Sequence, residues 1–214
     1  MRSNREEVTD METNIILAGV GGQGILSISY VIDMAALKQG LEFKQAEVHG
    51  MSQRGGAVQS HLRIADHLLH SDLVPRGRGT LILSVEPLES LRYLDYLATD
   101  GMVVSNVTPY VNIGDYPDIE ELLATIGRLP RHIMIEAESL ARQAGTARAQ
   151  NMVLLGAASP YLGIREELLE ESIEETFARK GEKVQKMNID AFRAGKAAGQ
   201  AYLAIRQRAS GVRA

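Results

Sequence analysis

Short apolar segments alternate with longer amphipathic segments along this chain, and that alternation constrains the fold more than any other feature. Residues 14–20 form an apolar run that ends in glycines, which is typical of a buried parallel strand. Residues 24–39 then place most of their bulky apolar side chains on one broad helical face, and Gly40 is suited to end that helix. Parallel strands need crossover connections, which cover the sheet with helices. The sequence therefore predicts a three-layer α/β fold, Rossmann-like, with a mostly parallel sheet and helices on both faces.

The remaining elements follow from the same patterns. Further strands are predicted at residues 41–46, 57–64, 81–85, 101–105 and 132–135, with a hairpin return at 65–70. Helices are predicted at 88–97, 118–126, 138–144, 149–161, 165–177 and 188–206, and small residues near the end of the last one favour close packing on the sheet or on another subunit. The alternation over 57–64 predicts a half-exposed strand. We expect a single domain over residues 13–208, with a flexible leader at 1–12 and a short tail at 209–214.

Composition excludes several classes of function. The chain has no cysteine, which excludes disulfides, cysteine nucleophiles and thiolate-bound iron–sulfur or zinc sites on it. The formal net charge is -4 and the basic residues are dispersed, so nucleic acid is not expected as a partner. No apolar run approaches the ~20 residues needed to cross a bilayer, and the polar start is unlike a signal peptide. We therefore expect a cytoplasmic protein without membrane contact.

A glycine-rich run joins the first predicted strand to the first predicted helix. It reads Gly19-Val-Gly-Gly-Gln-Gly24 and matches the G-x-G-x-x-G pattern, in which helix-start N–H groups meet a phosphate. That pattern alone is a weak indicator of a dinucleotide site. Two other interpretations stay open, namely a tight turn that brings strand and helix together, and a contact with a cofactor or partner chain. The candidate residues are Gly19, Gly21, Gly22, Gln23 and Gly24.

A second segment, residues 47–63, concentrates polar side chains and glycines on a predicted loop and the strand that follows it. Binding residues are often placed on such loops. Arg54 lies among amides and glycines and is suited to hold a carboxylate or phosphate with two hydrogen bonds. His49 is a candidate general base without an identifiable nucleophile or orienting partner. The competing interpretation is that these side chains hydrogen-bond the loop into place. The candidates are Glu47, His49, Gly50, Met51, Ser52, Gln53, Arg54, Gly55, Gly56, Ser60, His61 and Arg63.

The histidines do not predict a metal site. His49 and His61 are widely spaced, and no close histidine or acidic pair accompanies them in a metal-ligand pattern. His67, His70 and His132 have surface-like surroundings in the sequence.

The two glycine-rich motifs, taken in this order, resemble the gamma family of 2-oxoacid:ferredoxin oxidoreductases, closest to the indolepyruvate type. The likeness continues through Ser60-His-Leu-Arg63, Glu86-Pro-Leu-Glu89, Asn151-Met-Val-Leu-Leu-Gly-Ala157 and Asn188-Ile-Asp-Ala-Phe-Arg-Ala-Gly195. It covers nearly the whole chain after residue 13. The pair of motifs is much more specific than either motif alone.

The resemblance implies a reaction and a division of labour between subunits. An aryl pyruvate is oxidatively decarboxylated to acyl-CoA and CO2, and ferredoxin is reduced. Thiamine diphosphate, Mg2+ and [4Fe-4S] clusters are then bound by a larger alpha-type partner subunit, and none of them by this chain alone. The resemblance also implies that coenzyme A and ferredoxin interact with the assembled complex. No catalytic residue is assigned to this chain, so the isolated chain is expected to be inactive, and a homodimer in isolation is possible.

Two alternatives to an oxidoreductase subunit follow from the residues alone. One is a free-standing dinucleotide-binding protein that uses the G-x-G-x-x-G run, and the other is a purely structural scaffold chain.

Overall fold

One mixed sheet organises the computed structural model, which describes residues 11–49, 55–111 and 113–209. Its strands are β1 (Glu12–Val20), β2 (Glu42–His49), β3 (Ala57–Ala65), β4 (Gly79–Ser84), β5 (Leu97–Asn106) and β6 (His132–Ile135). The strand order is β2-β3-β1-β4-β5-β6. The pairs β1–β4, β4–β5 and β5–β6 are parallel, whereas β3 is antiparallel to both β1 and β2. The mostly parallel sheet is therefore confirmed, and β3 is the one described strand that runs against the others.

The described helices agree closely with the predicted ones. They are α1 (Ile25–Lys38), α2 (Pro87–Arg92), α3 (Ile119–Gly127), α4 (Ala137–Gln143), α5 (Gln150–Ala158), α6 (Glu166–Phe177) and α7 (Glu182–Ala209). Gly40 follows α1 with a positive φ of 77°, as its predicted role at the helix end requires. The predicted helix 88–97 is too long, because α2 ends at Arg92 and β5 already begins at Leu97.

The two faces of the sheet are covered by different sets of helices. Alternate residues of a strand point to opposite faces, so Ile15 and Ile16 of β1 belong to separate apolar clusters. The larger cluster packs the sheet against α1, α4, α5, α6 and α7. The smaller cluster centres on Ile16, Ile82 and Val103, on the face where α2 contacts β1, β4 and β5. The three-layer α/β architecture with helices on both faces is confirmed.

Helices α5 and α7 cross so closely that only glycine fits at the contact. A Cβ on Gly156 would lie 1.9 Å from the carbonyl oxygen of Phe192, and a Cβ on Gly195 would lie 1.8 Å from the carbonyl oxygen of Val153. The small residues of the last helix do permit close packing, but Gly195 and Gly199 meet α5, whereas the sheet or another subunit was predicted. The partner helix belongs to the same chain.

Several predicted boundaries are wrong. The leader does not extend to residue 12, because Glu12 already lies in β1 and the Met11 N–H donates to Asp66 Oδ2 at 3.1 Å. Of the predicted hairpin return 65–70, only Ala65 lies in a strand. The predicted tail begins too early, because α7 extends to Ala209. Residues 1–10 and 210–214 lie outside the described residues.

Candidate functional site

The sheet has a topological switch point between β1 and β4, where a functional site is expected. These two strands pair in parallel, but the chain leaves β1 into α1 on one face and leaves β4 into α2 on the other. In open α/β sheets, ligands bind in the crevice outside the carboxyl ends of the strands at such a point. The residues that follow Val20 and Ser84 are therefore the first to consider.

The glycine loop that follows β1 is a tight turn packed against α5. The N–H of Gln23 donates to the Val20 carbonyl at 3.1 Å, and the side-chain Oε1 of Gln23 accepts the Val20 N–H at 2.8 Å. Gly24 has a φ of +82°, and a Cβ there would lie 2.8 Å from Asn151 Nδ2. That amide donates to the Gly24 carbonyl at 3.3 Å. Of the interpretations left open by the sequence, the tight turn is the one whose geometry is observed.

The two glycine-rich motifs meet at this end of the sheet. The antiparallel register pairs Val20 of β1 with Ala57 of β3, so the residues before Ala57 continue beside those after Val20. The Gly21 N–H donates to the Gly56 carbonyl at 2.9 Å, and the Gly55 N–H donates to the Gly21 carbonyl at 3.4 Å. We call Gly21, Gly55 and Gly56 the glycine junction. It makes one backbone unit of two motifs that are far apart in the sequence.

Glu47 and His49 lie in β2, although a loop was predicted for them. His49 pairs with Val58 of β3, which places its backbone beside the start of that strand. Glu47 is exposed, and its Oε1 accepts from Gln45 Nε2 at 2.6 Å. The candidates Gly50, Met51, Ser52, Gln53 and Arg54 lie outside the described residues.

A carboxyl group that the sequence analysis did not select, Asp33 of α1, lies near Glu47. Its Oδ1 atom is buried without a hydrogen-bond partner. Burial, and secondarily the negative charge of Glu47, raise the pKa of Asp33 to about 7. The sequence signal was a single acidic residue within an otherwise mostly apolar helix.

The candidates Ser60, His61 and Arg63 stabilise the fold instead of reaching the glycine junction. Ser60 is buried, and its Oγ accepts from the Gln45 side chain at 3.1 Å. His61 points to the opposite face, where its Nδ1 accepts the Val74 N–H at 3.1 Å. Arg63 lies near the far end of β3, with one guanidinium nitrogen 2.8 Å from Glu12 Oε1. These three side chains therefore contact other parts of the fold and not the loop that was predicted before β3.

His132, for which surface-like surroundings were expected, is buried. Its Nδ1 lies 2.8 Å from the Leu129 carbonyl oxygen and 3.0 Å from a guanidinium nitrogen of Arg206. The ring also meets the edge of Tyr202, with the centroids 5.8 Å apart. Burial is the main cause that lowers the pKa of His132. The covering residues come from α7, far along the chain, which is why local sequence gave no sign of it.

The carboxyl end of β4 carries a buried acidic residue, Glu86, which the sequence analysis also did not select as a site residue. One carboxylate oxygen accepts the Glu89 N–H at 2.9 Å and so caps α2. The other accepts the Tyr110 N–H at 3.4 Å and the hydroxyl of Tyr116. Glu86 therefore holds the connection between β5 and α3 at the switch point. The available signal was an acidic residue between a buried strand and a proline that starts a helix.

A second acidic residue of α2, Glu89, is nearly as buried. Its Oε1 lies 3.0 Å from Arg92 Nε, whereas its Oε2 is buried without a hydrogen-bond partner. Burial is the main cause that raises the pKa of Glu89. Glu86 and Glu89 thus place two carboxyl groups inside the switch-point end of the sheet.

A cleft of about 690 Å³ opens beside the glycine turn, between the start of α1 and the starts of α5 and α7. Gly24 and Asn151 form one wall, and Arg148 and Lys180 place basic side chains along it. The acidic group in the lining is Glu138, which pairs with Arg142. The cleft therefore favours an anionic group over a cationic one.

The described residues form no metal centre, and the sequence supplies no thiolate for an iron–sulfur cluster. In the described ranges, no group of three or more His, Asp or Glu side chains is placed to hold a metal ion. The sequence has no cysteine to supply thiolate ligands. A search of the described helices finds none that is long and apolar enough to cross a membrane.

Solved structures with this fold define its class. One is the 2-oxoglutarate:ferredoxin oxidoreductase from Magnetococcus marinus with 2-oxoglutarate, coenzyme A and succinyl-CoA bound; the TM-score is 0.71 at 25% identity, over 89% of this chain and 31% of that chain. Another is the pyruvate oxidoreductase subunit PORC from Thermotoga maritima; the TM-score is 0.68 at 23% identity, over 87% of this chain and 96% of that chain. The chain spans about a third of the first structure and almost all of the second. The gamma subunit of keto/oxoacid ferredoxin oxidoreductase from Geobacter sulfurreducens also has this fold; the TM-score is 0.65 at 22% identity, over 88% of this chain and 99% of that chain.

The family follows from the sequence matches. The model of the pyruvate ferredoxin/flavodoxin oxidoreductase family matches residues 14–198, and the chain belongs to this family. Among curated relatives, indolepyruvate oxidoreductase subunit IorB of Archaeoglobus fulgidus is 37% identical over 196 residues, 86% of this chain and 94% of that protein. The IorB subunit of Pyrococcus horikoshii is 39% identical over 160 residues, 71% of this chain and 79% of that protein. The resemblance inferred from the paired motifs is confirmed, and the chain is a small subunit of an oxoacid:ferredoxin oxidoreductase.

Proposed function

We propose that this chain is the small subunit of an indolepyruvate-type oxidoreductase in the cytoplasm, which converts aryl pyruvates and coenzyme A to acyl-CoA and CO2 and reduces ferredoxin. A larger alpha-type partner subunit binds thiamine diphosphate, Mg2+ and the [4Fe-4S] clusters in this proposal. The name of the IorB relatives supports the indolepyruvate substrate. The cysteine-free composition supports the placement of the clusters on the partner.

The glycine junction is the observation that carries the proposed role of this chain. It holds Gly55 and Gly56, the described C-terminal end of segment 47–56, beside the glycine turn through the two backbone hydrogen bonds of Gly21. We infer that this segment lines one wall of the path by which the oxoacid or coenzyme A approaches the partner's cofactor. Ser60, His61 and Arg63 are left out of that wall, because their side chains are engaged within the fold. The Magnetococcus enzyme, part of which shares this fold, was solved with coenzyme A bound, which supports coenzyme A as a ligand of the assembled enzyme.

Arg54 supplies the expected anion contact of this wall. Both proposed ligands are anions, a 2-oxoacid through its carboxylate and coenzyme A through its phosphates. A guanidinium group binds either of them with paired, charge-assisted hydrogen bonds. Arg148 and Lys180 line the cleft beside the glycine turn and add positive charge there.

A reconstituted enzyme tests the proposal. The purified chain is mixed with the larger indolepyruvate oxidoreductase subunit from the same source, and ferredoxin reduction is followed with indolepyruvate, phenylpyruvate, pyruvate and 2-oxoglutarate. We expect activity only on mixing and the highest kcat/KM with an aryl pyruvate. Arg54→Ala is expected to raise the KM for coenzyme A or for the oxoacid about tenfold or more, since one charge-assisted contact contributes roughly 1.5–3 kcal/mol.

Arg76 offers a matched control for Arg54. It is an exposed arginine whose partner, Asp95, lies 3.9 Å away, so Arg76→Ala should leave both Michaelis constants unchanged. If Arg54→Ala leaves the KM values for both substrates unchanged, the proposal that this segment lines the ligand path is wrong. Activity of this chain without the larger subunit would remove the proposed division of labour.

A further inference from the structure

The connection between β5 and α3, residues 107–118, is held at the carboxyl edge of the sheet by Glu86. The Tyr110 N–H donates to Glu86 Oε1 at 3.4 Å, and the Tyr116 hydroxyl donates to the same oxygen. Burial, and secondarily the bond to Glu86, raise the pKa of the Tyr116 phenol, so its hydroxyl remains a donor at neutral pH. One buried carboxyl group therefore holds this β5–α3 connection on both sides of its middle.

Glu86 follows the residue that joins β4 to the glycine turn. The Val85 N–H donates to the Ala18 carbonyl at 2.9 Å, and a Cβ on Gly19 would lie 3.4 Å from Val85 Cβ. On the other side, the Asn106 side-chain amide donates to the Val85 carbonyl at 3.3 Å. The ends of β1, β4 and β5 thus meet around Val85. Glu86 therefore brings the β5–α3 connection to the crevice that the glycine turn borders.

The exposed part of the β5–α3 connection is apolar. Tyr110, Val111 and Ile113 are 45%, 68% and 42% exposed. Loops after the carboxyl ends of parallel strands supply many of the ligand contacts in α/β proteins. Of the two ligands in the proposed function, the aryl 2-oxoacid carries a large apolar ring, whereas the phosphates of coenzyme A suit Arg148 and Lys180 of the cleft. The connection therefore fits the ring of the oxoacid better than it fits coenzyme A.

We propose that Glu86 is a positioning residue, which holds the β5–α3 connection so that Tyr110 and Ile113 contact the aryl ring of the oxoacid across the crevice from the glycine junction. The inference rests on the proposed function, which supplies the substrate. Glu86 itself does not touch the ligand, because its oxygens are occupied by the Glu89 and Tyr110 N–H groups and the Tyr116 hydroxyl. A loop that is already fixed loses less conformational entropy on binding, so these hydrogen bonds lower the KM for a substrate with a ring.

The competing role of Glu86 is stability of the fold alone. Its carboxylate also caps α2 by accepting the Glu89 N–H at 2.9 Å, so a substitution of Glu86 disturbs two elements at once. Tyr116→Phe separates the two roles. It removes only the hydroxyl that joins the β5–α3 connection to Glu86 and leaves the cap of α2 in place.

Kinetics of the reconstituted enzyme test the inference, with indolepyruvate, pyruvate and coenzyme A as the varied substrates. We expect Tyr116→Phe and Ile113→Ser each to raise the KM for indolepyruvate about fivefold to tenfold, because the ring loses its apolar contact. The KM for coenzyme A and the kcat/KM for pyruvate should change less than about twofold, since neither depends on a contact with the ring. A defect in the fold would instead affect all three substrates alike.

Tyr161→Phe and Leu68→Ser are the matched controls. Tyr161 is a half-buried tyrosine in the turn after α5, where a Cβ on Gly163 would lie 2.6 Å from Met11, the residue before β1. Leu68 is an exposed leucine that follows β3, whose last residue pairs with Glu12 at the start of β1. Both lie at the end of the sheet away from the crevice, so every KM should change less than about twofold. Tyr116→Phe should melt within about 4 °C of the unmodified chain.

The outcomes separate this inference from the proposed function. If the enzyme is active and both Tyr116→Phe and Ile113→Ser leave the KM for indolepyruvate unchanged, the inference is wrong while the proposed function stands. Equal changes in the kinetics of all three substrates would show that Glu86 only stabilises the fold, and would also overturn the inference. If the unmodified chain gives no activity with the larger subunit, the proposed function is wrong and the inference falls with it.

Discussion

Two carboxyl groups of this molecule, Glu86 and Asp33, have opposite hydrogen-bonding surroundings. Glu86 is buried, but its two oxygens accept the N–H groups of Glu89 and Tyr110 and the hydroxyl of Tyr116. Asp33 is less buried, yet its Oδ1 accepts nothing. The hydrogen bonds of Glu86 therefore stabilise the fold, whereas ionisation of Asp33 opposes folding of the isolated chain.

The free energy of unfolding of the isolated chain should depend on pH because of Asp33. Since the folded state raises the pKa of Asp33 to about 7, the unfolded chain ionises more readily, and this group costs stability as the pH rises from about 4 to above 7. We expect Asp33→Asn to unfold at the same urea concentration as the unmodified chain near pH 4. At pH 8 it should be more stable by about 4 kcal/mol, the free energy that corresponds to a rise in pKa from 3.8 to about 7.

Urea unfolding at pH 4, 5, 6, 7 and 8 measures this difference. Asp95→Asn, at an exposed position, provides the reference and should follow the unmodified chain at every pH. A stability difference for Asp33→Asn that does not grow between pH 5 and pH 8 would contradict the expected ionisation.

Residue types were easier to predict than side-chain directions. The sequence identified His61 as a polar residue in a functional segment, but the alternation of β3 turns its ring to the face covered by Tyr96 and Val74. It also missed Glu86, whose role depends on Tyr110 and Tyr116 further along the chain. A local sequence pattern shows which chemical group a side chain carries, whereas tertiary packing determines which residues that group contacts.

At the scale of elements, periodicity predicted which segments are strands and helices but not the direction of β3. Alternating exposure is the same for a parallel and an antiparallel strand, so the pattern of residues 57–64 gave no sign of the reversal. The closeness of α5 and α7 was partly predictable, because the small residues of α7 are visible in the sequence. The identity of the helix that α7 contacts was not predictable, because Gly156 and Gly195 are brought together only by the fold.

The α5–α7 crossing should be the most sensitive place in the helical layer for adding a methyl group. Gly156→Ala would place its Cβ 1.9 Å from the Phe192 carbonyl oxygen, so the helices must separate. We expect a loss of about 3 kcal/mol or more in the free energy of unfolding, or failure to fold. Gly199→Ala, whose Cβ would lie 3.2 Å from Ala157 Cα, should lose about 1 kcal/mol.

Gly127 supplies the control in the same background. A Cβ there meets only the end of the Met134 side chain at 3.9 Å, so Gly127→Ala should leave stability unchanged or raise it by up to about 1 kcal/mol. Thermal and urea unfolding order the three variants. Equal stability of Gly156→Ala and Gly127→Ala would show that the two helices are not in the described contact.

At the scale of the whole molecule, the sequence predicted the architecture and the family, but it grouped candidate residues that the structure places at opposite ends of the sheet. The absence of cysteine and the paired glycine motifs were both readable without a structure. The segment 47–63 was treated as one unit, whereas Arg63 lies near the opposite end of the sheet, beside Glu12. A segment of that length that includes a strand extends from one end of the sheet towards the other, so its residues cannot all face one crevice.

The isolated chain should bind no dinucleotide. Gln23 folds its side chain back onto the glycine turn, and Asn151 packs against Gly24, so the turn is closed by the chain's own groups. We expect isothermal titration calorimetry with NAD, NADP and FAD to give no measurable heat of binding at ligand concentrations up to about 1 mM, where weak sites with about −4 kcal/mol would still register. Binding of the chain to the larger subunit, measured by the same calorimetry in the same buffer, is the positive control. Saturable binding of any of the three would favour a free-standing dinucleotide protein.

The antiparallel register of β1 and β3 couples the placement of the glycine junction to the packing of the core. A slip of one residue between these strands would turn Leu62 and Ile64 away from the larger apolar cluster and would shift Gly56 out of line with Gly21. Any such misalignment therefore exposes apolar surface and also breaks the backbone hydrogen bonds of the glycine junction. Correct folding of the core therefore fixes the position of Gly55 and Gly56 beside Gly21 before a partner subunit binds.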